Sequence, residues 1–204
     1  MTLFSALTAA RQQIEKLDAR LLLQYATGCS HADLLARPET PVVGPAYTQF
    51  MAWVVRRAAG EPLAYLVGEA EFRGRVFQVS PAVLIPRPET EVLIDQALEK
   101  LHGLAAPKVL DLGTGSGIIA ISLALECPAA TLVAVDLSKE AISVAGNNAG
   151  RLGARVEFRH SDWFSALAGE RFDLIVANPP YIAGGDPHLA LDGLPCEPQL
   201  ALTD

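Results

Sequence analysis

Lys108-Val109-Leu110-Asp111-Leu112-Gly113-Thr114-Gly115-Ser116-Gly117 is followed directly by the apolar run Ile118 to Glu126. Val109 to Leu112 has the composition of a short buried strand, Gly113 to Gly117 is a glycine turn, and the run after it predicts a helix. A strand entering a glycine turn that opens a helix lets a ligand come close to backbone N–H groups at the positive end of that helix. A second strand, Thr131 to Val135, ends in Asp136, 23 residues after Gly113. A carboxylate at that tip is placed to accept hydrogen bonds from ribose hydroxyls. The stretch therefore predicts an α/β fold with a nucleoside site at the strand ends.

Gly115-Ser116-Gly117-Ile118-Ile119-Ala120 also fits the dinucleotide fingerprint, a weak signal by itself, so a nicotinamide dehydrogenase is an alternative. Two features argue against it. Asp111 stands two residues before Gly113, and a third strand, Arg155 to Arg159, leads into Ser161-Asp162-Trp163-Phe164. An acid beside an aromatic ring suits an adenine, bonded on its amino edge and covered on its face; core packing is the other reading of Trp163. A fourth strand, Phe172 to Ala177, runs into Asn178-Pro179-Pro180-Tyr181. The prolines carry no N–H and push Asn178 toward an extended backbone. The Asn178 side-chain oxygen and the carbonyls of Asn178 and Pro179 are left with few local donors, and Tyr181 adds a flat face. Such a loop suits a planar –NH2 group, whether an amide or an aromatic amine.

Upstream, residues 4–26 place Phe4, Leu7, Ile14, Leu17 and Leu21 at helical spacings before Gly28, predicting one amphipathic helix. Ser30 and Asp33 resemble a capping box opening a short helix that Pro38 ends. Tyr47 to Ala59 predicts another helix, and Pro62 to Val67 a further turn or two closed by Gly68. Residues 1–70 thus read as a small helical domain, either a packing module or a docking one. Residues 71–83 read as a β-hairpin linker around Arg73-Gly74, and residues 84–204 as the sheet domain. In Leu84-Ile85-Pro86-Arg87-Pro88-Glu89-Thr90-Glu91, Pro88 fits the start of a helix reaching about Leu101, with Glu89 and Glu91 favouring its positive end.

Half of the 204 residues are apolar, enough for a sizeable core. The longest strongly apolar run, Ile118 to Leu125, is too short to span a bilayer, and no secretory leader is visible. Cys29, Cys127 and Cys196 are odd in number and widely spaced, which reads as reduced thiols in a cytoplasmic protein. His31, His102, His160 and His188 show no metal-ligand spacing, and no metal is expected. The net charge is −7, and all the acidic excess falls in residues 71–204, which counts against a nucleic-acid substrate.

Asp111-Leu112-Gly113-Thr114-Gly115-Ser116-Gly117, Asp136, Asp162-Trp163 and Asn178-Pro179-Pro180-Tyr181 together resemble the S-adenosylmethionine-dependent methyltransferases. Leu84 to Glu91 and Gly60-Glu61-Pro62 narrow the resemblance to the HemK/PrmC-type glutamine methyltransferases that modify peptide chain release factors. It implies a Rossmann-like methyltransferase sheet preceded by a small all-α domain that helps dock the release factor. Asp111 and Gly113, Thr114, Gly115, Ser116 and Gly117 would hold the methionine part and ribose of the cofactor, with Asp136 on the ribose hydroxyls. Asp162 and Trp163 would border the adenine, and Asn178 would also meet the cofactor. Asn178 and Pro179 would accept the two N–H bonds of a substrate glutamine amide, with Pro180 beside them and Tyr181 against the amide plane. Asn178, Pro179 and Tyr181 would thus be the catalytic set. An adenine methyltransferase acting on nucleic acid, or a non-catalytic fragment that binds the cofactor or a release factor, are the alternatives.

The resemblance implies a seven-stranded sheet, yet only four strands are legible after Lys108, and the sequence stops soon after Glu197-Pro198. The reading is therefore of a form lacking its last strands, with impaired stability or activity and the fourth strand left at an open edge.

Overall fold

The computed structural model describes residues 1–190 and 193–203, which fall into two compact units, Met1–Val67 and Gly68–Asp204. In the first, Thr2 caps α1 (Leu3–Ala10), exchanging hydrogen bonds with Ser5. The single helix expected over 4–26 is instead two, because α1 stops and α2 (Lys16–Thr27) begins afresh. Between them the Gln12 and Gln13 N–H groups turn to carbonyls three residues back, a tightening that closes α1. The buried face also differs from the expected one. Ala6, Ala10, Ala19 and Leu22 are buried, whereas Phe4 and Leu17 are exposed. Alanine weighs little in a hydrophobic pattern but lets helices approach closely, so the large apolar residues were the poorer guide.

The Ser30–Asp33 capping box opens α3 (His31–Ala36), Pro45 begins α4 (Pro45–Ala58), and α5 (Leu63–Val67) completes the unit. These helices meet around Leu22, Leu23, Phe50 and Val54. Arg57 Nε lies 2.7 Å from Asp18 Oδ2 and ties α4 to α2.

The second unit opens with the antiparallel pair β1 (Glu69–Phe72) and β2 (Arg75–Gln78). Arg73 and Gly74 adopt φ of +50° and +70° between them, the left-handed pair that suits a two-residue hairpin turn. Then come α6 (Glu89–Leu101), β3 (Lys108–Leu112), α7 (Ile118–Glu126), β4 (Thr131–Asp136), α8 (Lys139–Leu152), β5 (Val156–His160) and β6 (Leu174–Ala177). The sequence reading left α8 unassigned. It also began the last strand at Phe172, but Asp173 caps Lys108 through both its N–H and its carboxylate, so the strand itself starts at Leu174.

The strands are parallel in the order β5-β4-β3-β6. Val109, Leu132 and Val176 pack with residues of α6, α7 and α8. Leu110, Leu112, Val133 and Val135 alternate to the opposite face, where Leu167 joins them. Strand order runs outward from β3 through β4 to β5, then returns to β6 on the other side of β3. That reversal makes a switch point at the C-terminal ends of β3 and β6, the position where open α/β sheets bind ligands. Among the described residues β6 is an edge strand, as expected, and Ile175 is 47% exposed. No helix among the described residues is long and apolar enough to cross a membrane.

Candidate active site

The glycine turn leaves β3 by donating its Gly113 and Thr114 N–H groups to the Val135 carbonyl, at 2.9 and 3.0 Å, so it folds over the end of β4. Asp136, one residue further along β4, accepts from Gly115 N–H at 2.8 Å through Oδ2 and from Ser138 N–H at 2.9 Å through Oδ1. Each oxygen keeps a lone pair for another donor. Beneath the turn, Asp111 Oδ2 accepts from Thr114 Oγ1 at 2.7 Å and from Ala120 N–H at 3.2 Å, while Oδ1 is buried without a partner. Burial pushes this carboxyl up to about 6 against those two hydrogen bonds, and the nearby Asp136 adds to the rise. From α8, the buried Asn148 donates through Nδ2 to the carbonyls of Ser116 and Gln78, both at 2.9 Å, and accepts from Gln78 N–H at 2.7 Å. One side chain thus fastens the turn to the hairpin.

A cavity of about 700 Å³ opens over the turn. Gly113 to Ser116, Asp136 to Ser138, Asp162 and Trp163 line one part of its wall, and Leu84 to Arg87, Asn178 to Pro180 and Leu200 to Ala201 line another. Trp163 has a φ of +44° and is 55% exposed, so it is not a core residue. A left-handed tryptophan is strained by about 1–3 kcal/mol. Ser161, itself buried, holds it there by donating through Oγ to the Trp163 carbonyl at 2.8 Å and accepting from Ala166 N–H at 3.0 Å. Asn178 lines the cavity, and among the described residues neither its side chain nor the carbonyls of Asn178 and Pro179 meet a donor. Asn178 and Pro179 therefore bring unengaged acceptors to the wall of the same cavity as the glycine turn.

The methyltransferase small domain family matches residues 88–192, and the PrmC N-terminal domain family matches residues 2–68. The release factor glutamine methyltransferase of Bordetella pertussis is 53% identical over 94% of this chain and 71% of its own length. That of Burkholderia pseudomallei is 49% identical over 94% of this chain and 70% of its own. The chain belongs to the release factor glutamine methyltransferases. A T. thermophilus 16S rRNA methyltransferase, solved in complex with AdoMet and guanosine, superposes with a TM-score of 0.50 and 30% identity, covering 57% of this chain and 33% of its own.

In this glutamine methyltransferase chain, the cavity brings together Gly113, Thr114, Gly115, Ser116, Asp136, Asp162, Trp163, Asn178, Pro179 and Pro180. Asp111, Gly117 and Tyr181 lie outside its lining. Asp111 is fully buried under the turn, Gly117 packs against α8, and Tyr181 is 82% exposed. Missing from the sequence reading were Asn148 on the unassigned α8 and the roles of Ser161 and Glu197. Each is a buried polar side chain, a burial that sequence alone does not display. The wall fits a nucleoside cofactor. A Cβ built on Gly113 or Gly115 would meet no atom within 4 Å, the Asp136 oxygens have spare acceptor capacity, and the volume lies in the ordinary range for ligand sites.

Proposed function

We propose that this chain methylates the side-chain amide nitrogen of the glutamine in the Gly-Gly-Gln motif of peptide chain release factors, with S-adenosylmethionine as methyl donor. The observation that carries this reading is the row of unengaged acceptors at Asn178 and Pro179 on the wall of the cavity that the glycine turn floors. When bound, S-adenosylmethionine supplies a methyl group already activated on a sulfonium. The residues Gly113 to Ser116 would cradle its methionine part and ribose, with Gly117 closing the turn against α8, Asp136 would accept from the ribose hydroxyls, and Asp162 and Trp163 would border the adenine.

The amide nitrogen is a poor nucleophile because its lone pair is delocalised into the carbonyl. Asn178 Oδ1 and the Pro179 carbonyl each accept one of its N–H bonds, which fixes the nitrogen in line with the methyl carbon. With the cofactor bound, they would also favour the positive charge that grows on the nitrogen as it takes the methyl group from the sulfonium, whose sulfur would leave as a neutral thioether, and one N–H proton would pass to solvent water. Tyr181, which lies outside the cavity lining, would pack on the amide plane once the substrate is bound. Positioning and electrostatics account for the rate, and the reaction draws on no covalent nucleophile.

The match to a PrmC N-terminal domain supports residues 1–70 as a release-factor docking domain, with 71–83 a hairpin linker and 84–204 the methyltransferase domain. The acidic excess of residues 71–204 counts against direct nucleic-acid contact, and the three widely spaced free cysteines suit a reducing cytoplasm. Labelled S-adenosylmethionine offered with a release factor, with the same factor lacking its motif glutamine, and with adenine-containing DNA tests the reading. Label is expected on the intact factor alone. Label on DNA, or cofactor binding with no transfer, overturns it. Asn178→Ala is expected to lower kcat on the order of 100-fold while leaving most cofactor affinity; unchanged turnover removes Asn178 from the site.

A further inference from the structure

The Glu197 side chain is 2% exposed. A carboxylate at that depth is costly unless it is paired and hydrogen-bonded. Here it takes the Arg87 guanidinium on Oε1 and the Ile85 N–H, at 3.1 Å, on Oε2. Both partners come from the Leu84-Ile85-Pro86-Arg87 segment of the cavity wall, more than 100 positions earlier in the chain. The residues just after Glu197 line the same wall through Pro198, Leu200, Ala201 and Thr203. They are joined in turn to the acceptor loop. Ile182 N–H donates to the Leu202 carbonyl at 3.0 Å, and Ile182 pairs with Thr203 as an isolated parallel bridge, immediately after Asn178-Pro179-Pro180-Tyr181. Segments 85–87, 197–203 and 178–182 thus form one connected wall with an ionic joint and a backbone joint.

The glycine turn is held by other groups altogether, namely Val135, Asp136 and Asn148. The nucleoside cradle and the acceptor wall therefore rest on separate hydrogen-bond networks. An ion pair whose carboxylate is buried and whose guanidinium is a third exposed adds little net stability over well-packed apolar residues, but it fixes one geometry, since guanidinium and carboxylate meet in few arrangements. Methyl transfer depends on holding the amide nitrogen in line with the methyl carbon, and small misplacements there are expensive.

We propose that Arg87 and Glu197 are positioning residues for methyl transfer, an ionic strut that holds the Asn178 acceptor loop in register over the cofactor cradle. The inference rests on the function proposed above for the same cavity. Its test uses the full chain carrying Glu197→Gln or Arg87→Lys, with three readouts. The first is amide hydrogen exchange at Ile182, Ile85 and Gly115, which needs no substrate. The second is the dissociation constant of labelled S-adenosylmethionine by equilibrium dialysis, and the third is the initial rate of transfer to a release factor.

Glu197→Gln is expected to speed exchange at Ile182 and Ile85 about tenfold or more and to leave Gly115 within about twofold. It should also lower kcat about tenfold or more with the cofactor dissociation constant within about threefold, and Arg87→Lys, which keeps the charge, should retain more turnover than Glu197→Gln. Unchanged exchange at Ile182, or cofactor affinity falling in step with kcat, overturns the proposal. Should the unsubstituted chain transfer nothing to a release factor while the exchange pattern holds, the substrate reading fails and the strut stands.

Discussion

At the residue scale, Gly117 does different work from Gly113 at the other end of the turn. A Cβ on Gly117 would stand 2.7 Å from Ile121 Cδ1 and 3.1 Å from Ala145 Cβ, whereas at Gly113 nothing lies within 4 Å. Both have positive φ, +85° and +72°, so an alanine at either is strained. Only at Gly117 must a neighbouring helix also move. Gly117→Ala is therefore expected to destabilise the fold by about 3–5 kcal/mol, combining backbone strain with overpacking. Gly113→Ala should cost about 1–3 kcal/mol of strain and act mainly on cofactor affinity, because its methyl group would point into the cavity. Urea titrations of the two variants, paired with cofactor binding, check the ordering, and equal losses of stability would refute it. Spacing placed Gly117 in the turn but could not show that one of its close neighbours, Ala145, belongs to a helix 28 positions later.

At the scale of elements, α8 joins the glycine turn to the rest of the fold through Asn148. Removing that side chain leaves the Ser116 carbonyl and the Gln78 N–H without their bonds, so Asn148→Ala is expected to cost about 3 kcal/mol. Asn148→Asp keeps the acceptor for Gln78 N–H but sets a carboxylate against two carbonyls, and it should weaken cofactor binding as well. Thermal melts with and without cofactor check this, and a cofactor-induced rise in Tm as large in the Asp variant as in the parent would contradict it. β3, β4 and α7 were legible because their apolar runs end at a glycine or an acid, and β6 because its run ends at Asn178-Pro179. The hairpin was legible from Arg73-Gly74. Helix α8 was not, since Gly146, Asn147, Asn148 and Gly150 are weak helix formers. The signals that could have found it are the Ser138 cap, the Gly153 stop at φ +71°, and Ala141, Ala145 and Ala149 at four-residue intervals. The same undervaluing of alanine hid which faces of α1 and α2 are buried. The acceptor loop was readable as chemistry because proline removes donors wherever it stands, but its support by Glu197 depends on a burial that only the tertiary structure reveals.

At the scale of the whole molecule, the ionisable groups divide into two sets with opposite effects on stability against pH. Glu126 is held below the usual carboxylate range chiefly by its bonds to Arg73, then by those to Arg75, and it joins α7 to the hairpin. A lowered carboxyl contributes stability that is present above its unfolded value near 4.5 and is lost as pH falls below it. Asp111 runs the other way. Its carboxyl is pushed up to about 6 from 3.8, so between those values the folded state holds a proton that the unfolded chain has released. Stability from this group is complete below pH 4 and is lost as pH rises toward 6, a decline of about 3 kcal/mol as an order of magnitude. The two windows barely overlap, which makes the Asp111 slope separable. Urea unfolding at pH 4, 5, 6 and 7, followed by far-UV circular dichroism without cofactor, should show this decline in the parent protein. It should be absent in Asp111→Asn, whose side chain cannot ionise yet still offers an acceptor to Thr114 and Ala120. An Asn variant with the parent's slope would mean that Asp111 is already ionised in the folded protein at pH 4, and that the unpartnered Oδ1 does not govern its protonation.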